Sequence, residues 1–446
     1  MDQKAVITRF PPSPTGYLHI GGVRTALFNY LFAAHYGGRM YLRFEDTDRE
    51  RSKQEYEDDI FAALRWTSIP YEMPAIARQS ERLDVYKKHF MSLIERGLAY
   101  EAEEAENNPG KKVVRFRNPN KVISFFDLVR GEVTFDTTEL EDFVIARSID
   151  EPLYHLAVVI DDHEMGVTHV IRGEEHISNT PRQILILEAL GFERPLYAHI
   201  PLILAPDKSK LSKRHGAVSA NEYQAQGYVP EAMVNYLALL GWNPGGEQEI
   251  FSLDELVQQF TLEKVHKSGA VFDIEKLKWF NHEHIKRLTD NEFVERMEAF
   301  VSKSKTGAFT LPAYFPKVAP LLKERAETLL EAQNALQEGE FSFMEGEVAY
   351  PPDLLLKGAK AEAGVVKEHL AMVQNMFSNM GAKDFTAEAV KEAVFPYATE
   401  QGRASVLWPL RVALSGKEKS PDPFTLCSLL GKEMVGKRIE QALQLL

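Results

Sequence analysis

The stretch "AVITRFPPSPTGYLHIGGVRTALFNYLFAAHYGGRMYLRFED" near the N-terminus constrains the fold more than any other part of the chain. "AVITRF" is apolar and β-branched, which suits a strand. Leu27, Tyr30, Leu31 and Ala34 recur at helical spacing until Gly37-Gly38 stops them, and "RMYLRFED" then alternates Met40, Leu42 and Phe44. Strand, helix and strand in succession form a βαβ unit, and its right-handed crossover implies a parallel sheet. The segment Pro11 to Gly22 falls between the first strand and the helix, where open α/β sheets bind ligands beyond the C-terminal ends of their strands.

His19 stands where that helix begins. A helix N-terminus offers unpaired N–H groups and a positive dipole end to a phosphate, and Gly16, Gly21 and Gly22 let backbone come close to a ligand. A histidine there can donate to a phosphate oxygen that gains charge in a transition state, or it can simply cap the helix. A second basic segment, "SKLSKRHG", reads as a loop flanked by Ser and Gly. Lys210 and Lys213 are three apart, so that in a turn both can reach one polyphosphate.

After Arg96 the pattern shortens to an acidic "EAEEAENNPG" loop and β-like "KVVRFRN" and "GEVTFD". A second α/β pattern returns with "YHLAVVID", "THVIRG" and the helix "TPRQILILEALG". The middle therefore reads as a domain inserted into a doubly wound sheet. From about Tyr223 strands become rare, and helices such as "PEAMVNYLALLG", "LLKERAETLLEAQNAL", "EHLAMVQNMFSNM" and "GKRIEQALQLL" dominate. No repeat of fixed period is present. A chain of 446 residues exceeds one ordinary core, so two to four domains are expected.

The composition, 44% hydrophobic and 26% charged, is that of a globular protein. No apolar run reaches the roughly 20 residues that span a bilayer, and no basic-then-apolar leader precedes "AVITRF", so a cytoplasmic location and no membrane partner are expected. The one cysteine, Cys427, excludes an internal disulfide and a zinc site built on several thiolates; a buried thiol is expected. A formal charge of −13 argues against wholesale electrostatic binding of nucleic acid and confines such contact to basic strips, with affinity weakened by salt. Two strips qualify, Lys208 to Arg214 and the run of Lys111, Lys112, Arg115, Arg117 and Lys121. Either would alone read as a solvated surface.

Taken together, "TRFPPSPTGYLHIGG", "LRFEDTD", "YHLAVVIDDHEMGVTHVIRGEEHISNTPRQ", "KLSKRHG", "VFDIEKLKWFN" and "PLRVALSG" make the chain resemble, over nearly its whole length, the class I aminoacyl-tRNA synthetases and within them the bacterial glutamyl enzymes. "HIGG" at His19 to Gly22 is similar to the HIGH motif of that class, and "KLSKR" at Lys210 to Arg214 to its KMSKS loop. The resemblance implies an α/β fold: a split Rossmann-type doubly wound catalytic domain over 1–75 and 154–218, with an inserted α+β domain over 76–153 for the acceptor end of tRNA. A connecting helical domain over 219–290 and an all-α anticodon-binding region over 291–373 and 374–446 follow. It also implies condensation of L-glutamate with ATP to glutamyl-adenylate, then transfer to the terminal adenosine of tRNA(Glu), by a monomer.

By the same resemblance His19, Lys213 and Lys210 are catalytic, and ATP is held by His19, Gly21, Gly22, Lys210, Ser212 and Lys213 with Mg²⁺ bound through its phosphates. Arg9, Ser13, Glu45, Tyr154 and Arg172 are expected around glutamate, Arg172 and Arg9 for its carboxylates and Glu45 for its amino group. Asp46 and Asp48 are alternatively caps of the next helix. The sequence departs from the family pattern at Pro11 and Val158. The inserted region is short and has no cysteine, so that no structural zinc and no protein metal site are expected. "DDHE" at Asp161 to Glu164, read at the end of a strand, is expected to form hydrogen bonds rather than bind metal, and Trp242, Trp279 and Trp408 to lie in cores.

Competing readings are a glutaminyl enzyme, whose relatives end in β-barrels; a shorter paralogue that lacks the anticodon helices; and a catalytically silent RNA-binding module. The sequence leaves open whether tRNA(Gln) is also charged.

Overall fold

The computed structural model describes residues 5–75, 77–103, 112–148, 151–211, 219–303 and 309–446. They fall into two compact units divided between His284 and Ile285.

The first unit begins with the expected βαβ: β1 (Ile7–Phe10), α1 (Ile20–His35) and β2 (Arg39–Leu42). β1 and β2 pair in parallel, with Ile7 opposite Arg39 and Phe10 opposite Leu42. Ten residues of α1 are buried, which suits a helix covered on most sides. Gly38 is required at its end, since a Cβ there would lie 1.9 Å from the Val6 carbonyl. Next come α2 (Gln54–Trp66), α3 (Leu83–Glu95), β3 (Ala99–Glu103), β4 (Lys112–Phe116), β5 (Val122–Asp127), β6 (Gly131–Asp136), β7 (Phe143–Ser148) and β8 (Glu151–Pro152). The antiparallel order β3-β4-β7-β8 makes one sheet. The β5–β6 hairpin belongs elsewhere.

The chain then continues through α4 (Tyr154–Glu164), β9 (His169–Gly173), α5 (Thr180–Leu190), β10 (Leu196–Ile200), β11 (Ile203–Leu204), α6 (Ala220–Ala225), α7 (Pro230–Leu239), α8 (Leu253–Gln259), β12 (Ala270–Val271) and α9 (Ile274–Arg287). β9 and β10 are parallel, and β10 accepts β5 in parallel at Tyr197 opposite Asp127, giving the order β6-β5-β10-β9. Thr168 ties this sheet to β1: its N–H donates to the Ile7 carbonyl and its Oγ1 accepts from Ile7 N–H, both at 2.9 Å. The strand ends that carry Phe10, Gly173 and Ile200 thus face one region.

The second unit is all-helical among its described residues: α10 (Asp290–Lys303), α11 (Phe315–Lys323), α12 (Leu329–Gln337), α13 (Asp353–Lys357), α14 (Ala363–Ser378), α15 (Ala387–Gln401), α16 (Arg403–Ser415) and α17 (Pro423–Leu445). Cys427 is buried as expected, and burial pushes its thiol pKa well up.

Three expectations change. "YHLAVVIDDHE" is the helix α4, so "DDHE" ends a helix and not a strand; Leu156 to Asp162 are all buried, and a fully buried helix has no periodicity to betray it. "LLKERAETLLEAQNAL" is two helices, because Thr328 caps α12 by accepting from Glu331 N–H. Trp242 lies in a core, whereas Trp279 is 41% exposed.

Candidate active site

A cavity of about 1030 Å³ opens beyond the ends of β1, β9 and β10. Arg9, Ser13, His19, Gly21, Gly22, Glu45, Tyr154, Arg172 and Lys210 all line it. Ser212 and Lys213 lie outside the described residues. Pro11 is also in the lining, while Val158 borders a separate cavity shared by Asp162 and Gln183.

His19 is both a cap and a cavity residue. As N-cap of α1 its Nδ1 accepts from Gly22 N–H at 3.2 Å, and its ring opens onto the cavity. Surrounding protein and Lys210 lower its pKa against the opposing pull of Glu175. The ring is therefore neutral at pH 7, and with Nδ1 accepting, the proton sits on Nε2. The two glycines make this possible for steric reasons. A Cβ on Gly21 would lie 2.9 Å from His19 Nδ1, and one on Gly22 only 2.5 Å from Leu18 Cδ1. Gly16 has open space around it. Lys210 pairs with Glu175 at 3.7 Å on the same wall.

The floor is a buried ionic network. Asp162 accepts from Arg9 Nε at 3.3 Å and from Arg43 Nη1 at 2.6 Å, and Arg43 Nη2 donates to Glu45 at 3.0 Å. Burial pushes the Glu45 carboxyl up to about 7 despite Arg43 and Arg9, while the same two arginines hold Asp162 below the usual carboxylate range against its own burial. Asp161 accepts from Gln79, Arg82 and Tyr86 at 2.8 Å each. The "DDHE" motif is thus the anchor of this network. Among the described residues no three His, Cys, Asp or Glu side chains converge as a metal site.

Arg172 is 5% exposed and held on three sides. It donates from Nη1 to Gln183 Oε1 and from Nη2 to Thr180 Oγ1, both at 2.8 Å, and from Nε to His199 Nε2 at 3.2 Å. Those bonds leave one N–H on each terminal nitrogen for a ligand. Tyr154 stands at the start of α4, its hydroxyl pKa raised by burial and by Glu45.

Neither Asp46 nor Asp48 caps α2, whose N-cap is Lys53. Asp46 instead accepts from Ser80 N–H and hydroxyl, and Asp48 from Arg51. Of the basic run, Lys111 lies outside the described residues, while Lys112 pairs with Glu101, Arg115 donates to the Asp142 carbonyl, Arg117 lies over Tyr100 and Lys121 pairs with Glu188. Sequence reasoning missed Arg43 and Gln79. Arg43 had a signal: an Arg and a Glu two apart in "LRFED" share one side of an extended chain.

Comparison with known proteins agrees with this architecture. The family model for the catalytic domain of class I tRNA synthetases (E and Q) matches residues 5–108 and 101–279, and that for an anticodon-binding domain matches 292–443. The fold is thus that of a class I aminoacyl-tRNA synthetase. Glutamate–tRNA ligase of Nitratidesulfovibrio vulgaris (strain Hildenborough) is 40% identical over 474 residues, covering 99% of both chains. That of Desulforamulus reducens is 40% identical over 499, covering 99% of this chain and all of its own. A crystal structure of a glutamate tRNA ligase from Elizabethkingia meningosepticum in complex with its amino acid superposes with a TM-score of 0.84 at 32% identity, covering 99% of each chain. The chain belongs to the glutamate–tRNA ligase family.

Proposed function

We propose that this chain activates L-glutamate with ATP and transfers the glutamyl group to the 3′-terminal adenosine of tRNA(Glu). The observation that carries this is the pairing of opposite charges in one cavity: Arg172 with two unused N–H groups, and Glu45 at the floor. Arg172, with Arg9, takes carboxylate oxygens of glutamate, Glu45 its ammonium group, and Ser13 and Tyr154 complete the contacts.

In the first step an α-carboxylate oxygen of glutamate attacks the α-phosphorus of ATP, and the bond to pyrophosphate breaks. Charge grows on the α-phosphate oxygens and on the leaving group, so preorganised donors supply much of the rate. His19 Nε2–H serves the α-phosphate, Lys210 and Lys213 the pyrophosphate, and Gly21, Gly22 and Ser212 line the nucleotide. Lys210 exchanges its Glu175 partner for phosphate. Mg²⁺, arriving on ATP, adds charge neutralisation through the phosphates. In the second step a ribose hydroxyl of the terminal adenosine attacks the glutamyl carbonyl and AMP departs.

The inserted stretch 76–153 takes the acceptor end in this reading, 219–290 connects, and 291–373 and 374–446 take the anticodon, in a cytoplasmic monomer. The test is charging of purified tRNA(Glu) and tRNA(Gln) with labelled glutamate, and in parallel with labelled glutamine. Glutamate on tRNA(Glu) is the expected result, and on that tRNA alone it identifies a discriminating ligase. Glutamate on both identifies a non-discriminating ligase, and failure to charge either defeats the proposal in favour of a silent RNA-binding module.

The raised Glu45 pKa gives a pH prediction. To face an ammonium group Glu45 must be ionised, so that below about 7 glutamate binding has to expel its proton. KM for glutamate should therefore fall as pH rises toward 7 and level off above it, and Glu45→Gln should abolish that slope. The sign for folding follows from the same shift: stability contributed by a carboxyl whose folded pKa is raised declines as pH rises from its unfolded value to about 7. A pH-independent KM in the parent enzyme would remove Glu45 from the ammonium site.

A further inference from the structure

We infer that His199 and Asp127 are positioning residues for glutamate recognition, a buried relay that fixes the orientation of Arg172 through the tautomer of one imidazole. The inference rests on the assignment of Arg172 to the substrate carboxylate.

Both residues are fully buried, and neither lines the active-site cavity. His199 lies on β10, Arg172 opposite it on β9, and Asp127 at the end of β5, the hairpin strand that the inserted stretch contributes to the same sheet. His199 Nδ1 stands 2.6 Å from Asp127 Oδ2, and its Nε2 lies 3.2 Å from Arg172 Nε. A carboxylate can only accept, and a guanidinium can only donate. The neutral imidazole therefore carries its proton on Nδ1 and offers the Nε2 lone pair to Arg172. The reversed tautomer would set an Nε2–H against the Nε–H of Arg172 and a lone pair against Asp127. Thr180 Oγ1, 3.1 Å from the same Nε2, can accommodate that reversed proton, so Thr180 does not choose the tautomer. Asp127 does.

Asp127 is in turn locked. Its Oδ1 accepts from Val129 N–H at 2.9 Å and Arg130 N–H at 2.8 Å, while Oδ2 faces the ring and also accepts from the His199 backbone N–H at 3.1 Å. An Asn at this position would keep its carbonyl on those two backbone donors and, at 3.2 Å, on the His199 N–H, which would lose its bond to Oδ2, and would turn its NH₂ toward Nδ1. The imidazole proton would then move to Nε2, facing Arg172. Shape is nearly unchanged, while the donor pattern behind the guanidinium is inverted. Arg172 keeps Gln183 and Thr180, so the effect falls on the angle at which its two remaining N–H groups meet the substrate.

The experiment uses the full-length enzyme and measures kcat and KM separately for glutamate, ATP and tRNA(Glu), with thermal unfolding alongside. Asp127→Asn and His199→Asn should raise KM for glutamate about tenfold or more, as loss of a charge-assisted hydrogen bond does. KM for ATP and for tRNA should stay within about twofold, well under the roughly 1.4 kcal/mol that a tenfold change represents. His199→Gln, whose amide oxygen can take the place of the Nε2 lone pair, should restore most of the glutamate affinity. Arg172→Ala is the internal standard and should show the largest rise. If Arg172→Ala raises KM for glutamate while Asp127→Asn leaves it unchanged, the relay is overturned and the assignment of Arg172 survives. If His199→Gln and His199→Asn behave alike, or if all three KM values move together with the unfolding midpoint, the pair only packs and the inference fails. An Arg172→Ala enzyme with unchanged KM for glutamate would sink the assignment and the relay together.

Discussion

Asp162→Ala should be the most destabilising single change in the floor of the cavity, lowering stability of the first unit by about 3–5 kcal/mol and abolishing glutamate activation. Its carboxylate is the shared partner of two buried guanidiniums, with side chains 2% exposed at Arg9 and fully buried at Arg43. Without it Arg43 keeps Glu45 at 3.0 Å and Asp161 at 3.8 Å, but Arg9 is left, among the described residues, with one long hydrogen bond to the Ile171 carbonyl at 3.5 Å and the longer-range pull of Glu45. A charge stranded in that way must leave the interior or draw water into it. Arg9 would turn away from the cavity, and Glu45 would lose the fixed position of its partner. Asp162→Asn keeps the volume and two polar atoms and should lose less. Thermal and denaturant unfolding of the three proteins measure this, and an alanine variant as stable as the parent would show that the network contributes nothing to the fold.

This network marks the boundary of what the sequence makes legible. The βαβ start could be read because strand alternation, helical spacing and terminating glycines are local signals. The cavity-lining residues Arg9, Ser13, His19, Glu45, Tyr154, Arg172 and Lys210 could be picked out because each lies in a short segment that resembles a family motif. What joins Arg43 to Asp162 is a pairing across 119 positions, and Arg9 reaches the same carboxylate across 153. No periodicity carries such information. Helix α4 was obscured for a related reason: Leu156 to Asp162 are buried all round, and a uniformly apolar run has the same appearance in a strand as in a covered helix. The break between α11 and α12 turns on one threonine acting as a cap, a signal that is visible but easily outweighed by the leucines around it.

The double duty of His19 permits a sharper test than deletion. His19→Ala removes both the cap, worth about 1 kcal/mol, and the Nε2–H donor. His19→Asn separates them. Asparagine is among the best N-cap residues, so its side-chain oxygen can accept from Gly22 N–H as Nδ1 does and leave α1 intact. It is too short to place a donor where Nε2–H points into the cavity. If His19 acts at the α-phosphate, His19→Asn should retain the parent's unfolding midpoint while kcat for adenylate formation drops about a hundredfold to a thousandfold, the range seen when one preorganised donor to a developing oxyanion is lost. KM for glutamate should change little, because in this reading Arg172 and Glu45, not His19, hold the amino acid. If His19 is only a cap, His19→Asn should turn over like the parent, and His19→Ala should lose stability without losing rate. Presteady-state formation of glutamyl-adenylate in the presence of tRNA, measured beside thermal unfolding, decides between the two.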